Sequence, residues 1–449
     1  MSSFYKKNTI KSSYSCSLKG TVSIPGDRYF SHCSVILGGI ASGKTQISGL
    51  LESDDVLNTM KMMNYLGANY TKKNSKWIVE GVGNGCLLSP EHPMNFKDFY
   101  IGYELIMGVV GVYDFQTFFK GCENISQKSI KSILDPLRNM GVQVIPIKRN
   151  CLPLSLHGPR IPNPISYRSP VASSQLKSVV LLAGLNTPGI TEIVEPVKTH
   201  DHIENILKEF GVDLLVTTDI NENYSVRIEG RKSISGCNLK VPGDPSFALF
   251  VLSAALLIAE SNIKILRVSI NPLRVGLINI LQEMGANISF SNIRIESGEN
   301  IADIQVRSSK LRGISISKSR IRSIIDECPI LMVISAFAEG KTIMNGLEDL
   351  MRSNQFFAIL ECLQVNNIKY EKGKDHFVII GAPSGSGLGS SSGHMVQSKF
   401  GYNIAMSFLI MGFASEYSVL VDDCYEISAV FPDFINLMQG LGARIEWIV

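Results

Sequence analysis

Residues 43–69 read GKTQISGLLESDDVLNTMKMMNYLGAN. Positions 44–50 are short and β-branched enough for a strand. Ser53, Asp54 and Asp55 then offer a helix N-cap with acidic side chains in the first turn, where the helix dipole favours them. Val56, Met60 and Met63 fall on one helical face, and Gly67 stands where a residue able to take positive φ ends the helix.

The closing phrase of that stretch recurs. Met140-Gly141-Val142, Phe210-Gly211-Val212, Met284-Gly285-Ala286, Val365-Asn366-Asn367 and Leu441-Gly442-Ala443 follow Gly67 at spacings of 74, 70, 74, 81 and 76 residues. That regularity over the whole chain predicts six copies of one supersecondary unit, each too long for a solenoid repeat.

Each copy also carries a more apolar helix ahead of the strand and amphipathic helix, at 31–40, 103–110, 174–182, 247–257, 329–337 and 404–413. A helix apolar on nearly every side must be covered on every side. An alternating strand follows each amphipathic helix, at 76–80, 152–156, 225–229, 303–307 and 376–380. The sixth copy stops at 445–449, so a segment from elsewhere must complete it, and the strand pattern at 15–19 is the expected donor.

Pro25-Gly26-Asp27 and Pro242-Gly243-Asp244 each follow a strand and precede an apolar helix, three repeats apart. The chain therefore divides as a duplicated pair: a first domain over 21–240, and a second over 241–449 completed by 1–20. Hydrophobic residues make up 45% of the 449 positions and charged ones 18%, ample for buried cores. A net charge of +3 without a basic stripe argues against nucleic acid. Nine scattered cysteines without a C-x-x-C pair point to reduced thiols and no metal site. No apolar leader and no run approaching 20 apolar residues predict a cytoplasmic protein that does not engage a membrane, expected as a monomer. The loop GAPSGSGLGSSSG at 381–393 lacks the Lys-Ser or Lys-Thr of a P-loop and reads as a linker.

The first candidate site is IPGDRYFSHCS at 24–34. A glycine turn leads from a strand into a buried helix, so free N–H groups and the helix dipole can face an anion, with Arg28 adding charge. Together with ASGKTQISGLLESDDVLNTMKMMNYLGA, VASSQLKSVVLLAGLNTPG, VPGDPS, IDECPIL, AFAEGKTIMNGLEDL and IAMSFLIMG, this stretch resembles the 5-enolpyruvylshikimate-3-phosphate synthases, especially the bacterial class with glyphosate-tolerant forms. The resemblance implies an α/β fold of two similar domains, each of three βαβαββ-type units with buried helices, an inside-out α/β barrel. It also implies transfer of the enolpyruvyl group from phosphoenolpyruvate to the 5-hydroxyl of shikimate-3-phosphate in chorismate and aromatic amino acid biosynthesis, without metal or organic cofactor.

Two phosphates and a carboxylate in one site call for several Arg and Lys partners. The resemblance assigns catalysis to Asp326 and to Arg28, which stands at the family's lysine. It assigns substrate binding to Arg28, Ser31, Lys128, Ser173, Ser174, Gln175, Lys177, His200 and Asp326. Other family positions are exchanged: Tyr29 replaces a serine, Cys33 and Glu104 replace arginines, and Tyr100 stands where the tolerant class has an alanine that excludes glyphosate. The family's lysine, glutamate, aspartate and arginine in one further motif correspond to Met351, Arg352, Asn354 and Gln355, and Asn403 replaces an arginine in the last. Arg352 cannot titrate in the range of the glutamate it replaces.

One lost charged partner costs roughly 2–5 kcal/mol of anion binding, and one lost transition-state donor a factor of about 10²–10³ in rate. The sequence thus predicts a synthase-family protein with severely impaired or absent catalysis. Two alternatives stand beside that reading. One is an active synthase with a rearranged anion site drawing on Arg28, Lys128, Arg322, Arg352 and Lys399. The other is a non-catalytic binding protein that keeps a shikimate-phosphate half-site.

Overall fold

The computed structural model describes residues 9–96, 100–121, 130–148, 151–220, 223–397, 401–422 and 425–448. The chain divides into two compact units. The first comprises Gly26–Pro242 with Ile295–Glu299, and the second Met1–Pro25, Gly243–Arg294 and Asn300–Val449.

In the first unit the helices alternate between enclosed and amphipathic: α1 (Arg28–Ile40), α2 (Asp54–Tyr65), α3 (Tyr100–Val110), α4 (Lys131–Asn139), α5 (Ser174–Leu185) and α6 (His202–Glu209). α1 buries every residue from Tyr29 to Ile40, as its all-round apolar sequence requires. It starts at Arg28 because Asp27 caps it, its side chain accepting the Phe30 N–H at 2.8 Å. α3 and α5 approach backbone to backbone: a Cβ on Gly108 would stand 2.7 Å from the Val179 carbonyl oxygen.

The same four-stranded sheet recurs three times in this unit. One has the order Asn238–Lys240, Ser42–Ser48, Lys76–Val82, Asn69–Lys73. Its first pair is parallel and the other two are antiparallel. The other two sheets are led by Met94–Asn95 and Ser166–Arg168. Alternation sets the register: along Gln116–Lys120, Thr117 and Phe119 are buried while their neighbours face outward.

The second unit repeats the pattern with α7 (Pro245–Leu257), α8 (Gly276–Glu283), α9 (Lys318–Ser323), α10 (Cys328–Ser335), α11 (Asn354–Val365), α12 (Tyr402–Gly412), α13 (Tyr425–Val430) and α14 (Phe434–Leu441). α7, α10 and α12 are its enclosed helices. Among the described residues no helix is long and apolar enough to cross a membrane.

Two expectations need correction. The strand that completes the sixth repeat is Thr9–Ser13, not 15–19. It lies between Val419–Val421 and Arg444–Ile448, antiparallel to both. Ile10 and Ser12 give that segment the alternation a half-buried strand needs, whereas Cys16 is exposed. Lys19–Ser23 instead pairs in parallel with Asn262–Ser269 and leads the fourth repeat's sheet. The helix-ending residue of the fifth repeat is Asn367, at φ +58°, one position beyond the expected Asn366. Asparagine there does what glycine does elsewhere, tolerating the left-handed region.

Candidate functional site

In the first unit the site residues gather at the N-termini of α1 and α5. Gly26 must be glycine because a Cβ would lie 2.1 Å from the Gly49 carbonyl oxygen. That close approach delivers Asp27 and Arg28 to the start of α1. The Arg28 guanidinium does not extend into open solvent: its Nε donates to Asp55 Oδ2, a carboxylate buried at the start of α2. His32 Nε2 lies 3.3 Å from the same oxygen, and its Nδ1 shares a hydrogen bond of 2.9 Å with Thr59. Burial alone would raise the Asp55 carboxyl, but Arg28 and His32 outweigh it and hold that group well below the usual carboxylate range.

Tyr29 turns inward. Its hydroxyl donates to the Ser174 carbonyl at 3.3 Å and shares a short hydrogen bond with Ser178. Its ring meets His200 edge-on at 4.9 Å, and His200 lies 4.8 Å from His202. Burial pushes the phenol well above its ordinary value. Ser31, expected to bind substrate, is fully buried and accepts the Leu51 N–H at 3.1 Å. The Cys33 thiol is buried and raised by that burial, so it stays protonated. Glu104 is buried on α3, where the resemblance calls for an arginine, with the Tyr103 hydroxyl 3.5 Å away.

At α5, Ser173 caps the helix by accepting the Leu176 N–H at 3.3 Å. Ser174 donates to Gln175 Oε1 at 3.3 Å, and Gln175 is half-buried. Lys177 departs most from its expected role. Its ammonium is 0% exposed, 2.8 Å from Glu204, 3.1 Å from Glu195, and 5.3 Å from the centre of the Tyr224 ring. Rather than facing a phosphate, it neutralises two interior carboxylates. Burial still holds the Glu204 carboxyl above its ordinary value despite that contact.

The second unit presents a separate set. Asp326 is exposed in the short turn Ile325–Glu327 just before α10, and Asn403, at the start of α12, donates to its backbone carbonyl at 3.3 Å. Asp244 caps α7, accepting the Ser246 N–H at 2.9 Å and Arg274 Nη2 at 3.3 Å. Met351 is buried, and Arg352 is exposed in the turn Leu350–Arg352 ahead of α11. Gln355, in the first turn of α11, is half-buried. Lys128 and Lys399 lie outside the described residues, as does the Tyr100 side chain. Among the described residues no group of three His, Cys, Asp or Glu side chains is arranged to hold a metal ion.

Three residues that fix these arrangements escaped the sequence reading: Asp55, Glu204 and Arg274. Asp55 had been read only as a first-turn acid, and the partner that changes its meaning lies 27 residues away. Arg274 closes the turn Asn271-Pro272-Leu273-Arg274, where the Asn271 side chain accepts the Leu273 N–H at 3.0 Å, a local signal that was legible.

Residues 14–438 match the family model described as EPSP synthase (3-phosphoshikimate 1-carboxyvinyltransferase). A 3-phosphoshikimate 1-carboxyvinyltransferase of Rhizobium johnstonii is 47% identical over 436 residues, covering 97% of this chain and 96% of the relative. One from Brucella canis is 47% identical over 434 residues, 96% of each. An EPSP synthase structure from Acinetobacter baumannii superposes with a TM-score of 0.88 at 31% identity, over 98% of this chain and 100% of that one. The enolpyruvyl transferase NikO from Streptomyces tendae shares the fold, with a TM-score of 0.77 at 15% identity over 98% and 99%.

Proposed function

The chain belongs to the EPSP synthase family, and from that premise we propose that it keeps a shikimate-phosphate half-site but transfers enolpyruvyl at a severely reduced rate, or not at all. The substrates are those of its family, shikimate-3-phosphate and phosphoenolpyruvate, in the shikimate pathway that leads to the aromatic amino acids.

The observation that carries this reading is the commitment of Arg28. Arg28 stands at the position of the family's lysine, and its Nε is bound to the buried Asp55 carboxylate. A guanidinium exchanges no proton near neutral pH, and one tied to an interior carboxylate has less field left for an incoming anion. Tyr29 beside it places a ring and a hydroxyl against Ser174 and Ser178 where the family has a small serine. The half-site rests on Ser173, Ser174 and Gln175, whose hydroxyls, amide and helix N-terminus suit a phosphate. A coupled assay for phosphate release from the two substrates tests the proposal. Turnover at the rate of an active relative assayed alongside would overturn it, and calorimetry with shikimate-3-phosphate alone tests the half-site.

A further inference from the structure

Glu299 comes from the fourth repeat, yet its carboxylate is buried in the first unit. The hairpin that carries it has strands of 10 and 9 residues, Asn287–Glu296 and Glu299–Arg307. The matching strands of the first, second, third and fifth repeats run from four to seven residues. The extra length carries the turn of this hairpin, Ile295–Glu299, into the first unit. Ser297 and Gly298 make that turn with φ of +48° and +76°, as a tight two-residue hairpin loop needs.

The turn is seated on two elements. Ser297 Oγ accepts the Lys240 N–H at 2.8 Å, and a Cβ on Gly298 would stand 2.9 Å from the Asn205 carbonyl oxygen in α6. Glu299 Oε1 then lies 2.8 Å from His202 Nδ1 and accepts Asn205 Nδ2 at 3.0 Å. Glu299 and His202 are both 0% exposed. A carboxylate accepts and does not donate, so this contact keeps a proton on His202 Nδ1 and fixes the plane of the ring. His202 passes that constraint on. Its ring centre lies 4.8 Å from that of His200 and 6.2 Å from that of Tyr29, and His200 meets Tyr29 edge-on at 4.9 Å. The Tyr29 hydroxyl donates to the Ser174 carbonyl at 3.3 Å. A carboxylate, two imidazoles and a phenol thus form one packed line that ends on the backbone at the start of α5.

We propose that Glu299 is a positioning residue of the half-site: it holds His202, and through it the His200 and Tyr29 rings that back Ser174. Naming the ligand as shikimate-3-phosphate rests on the function proposed above, whereas the placing of His200 by Glu299 does not. Rings already held cost an incoming ligand no ordering, and loose rings behind Ser174 would have to be ordered as it binds. Loss of Glu299 therefore weakens binding although its own side chain is buried out of a ligand's reach.

The test uses the full chain, calorimetry with shikimate-3-phosphate, and ring-nitrogen NMR of the histidines. Glu299→Leu is expected to lose the Nδ1-protonated signature of His202 and to shift the His200 resonances. It should also weaken shikimate-3-phosphate about tenfold, the lower end of what a histidine's outer partner is worth at metal sites. Glu299→Asp, which draws the oxygen back by one methylene, should act the same way to a smaller degree and gives the comparison if Glu299→Leu does not fold. Glu299→Gln still accepts from Nδ1 and should keep the signature and most of the affinity. Asn205→Ala removes a second donor from the same oxygen without touching His202, and should leave both readouts near wild type. A loss there as large as that of Glu299→Leu would make Glu299 a fastener of the turn alone and overturn the inference. Wild-type affinity in Glu299→Leu, or unmoved His200 resonances, would overturn it as well. If those resonances move while wild type binds no shikimate-3-phosphate, Glu299 still positions His200 and the half-site is what falls.

Discussion

The Lys177 ammonium lies 2.8 Å from the Glu204 carboxylate, both buried within the first unit. Glu195 approaches the same nitrogen at 3.1 Å, so one cation serves two acids. Such a group is a strut of the interior, and its removal leaves charge that water cannot reach. Lys177→Met is expected to destabilise the first unit by about 3–5 kcal/mol. Adding Glu204→Gln should return part of that loss, because one of the stranded carboxylates becomes neutral. Urea denaturation of the single and double variants reads both effects. A Lys177→Met protein as stable as wild type would mean that the carboxylates find another partner.

The Arg28–Asp55 pair makes stability depend on acid. Asp55 is held below its unfolded-state value of about 3.9, so its contribution is present in full above that value and is lost as pH falls through the lower, folded one. Asp55→Asn should cost about 3–5 kcal/mol at neutral pH, since it strands Arg28 against the interior. The gap to wild type should narrow steadily below about pH 4. Melting curves from pH 7 to pH 2 check the convergence, and two parallel profiles would contradict it.

The six-fold repeat was legible because it is written in patterns that do not depend on distant partners. Gly67, Gly141, Gly211, Gly285 and Gly442 all take positive φ where the chain leaves an amphipathic helix. The enclosed helices were recognisable because a segment such as Pro245–Leu257 has no polar face to turn to water. Side-chain commitments were not legible. Lys177 lies one turn into a helix whose first residues suit a phosphate, and nothing nearby in sequence announces Glu195 and Glu204. Ser31 was read as a substrate-binding residue, but its hydroxyl accepts the Leu51 N–H, twenty residues on. Spacing along a chain reports which face a residue takes, and only packing decides what waits there.

Completion of the last repeat by the start of the chain has a mechanical consequence. Thr9–Ser13 is an interior strand, bonded on one side to Val419–Val421 and on the other to Arg444–Ile448. Proline within it removes a ladder donor and has no edge to face. Ile10→Pro is expected to cost about 3 kcal/mol or more in the second unit. Tyr14→Pro, one residue past the strand and exposed, should cost much less. Hydrogen exchange would show the difference as early loss of protection along 419–421 and 444–448 in Ile10→Pro alone. Retained protection there would mean that the strand is dispensable.

On the function proposed above, restoring single residues of the family pattern should not restore turnover. Tyr29 is almost fully buried, with its hydroxyl engaged by Ser174 and Ser178, so Tyr29→Ser leaves a cavity and is expected to cost about 3–5 kcal/mol. Arg28→Lys returns the side chain the resemblance calls for, but Asp55 remains to hold it. Cys33, Glu104, Arg352, Gln355 and Asn403 would still stand where the resemblance calls for charged or titrating residues. Losses of groups that act together are strongly non-additive, so the first restorations bring little until the set is nearly whole. The double variant Arg28→Lys, Tyr29→Ser is therefore expected to release phosphate from shikimate-3-phosphate and phosphoenolpyruvate at least about 100-fold more slowly than an active relative, the deficit attributed to one missing transition-state donor. Full turnover from those two changes alone would place the whole defect at the start of α1 and acquit the remaining substitutions.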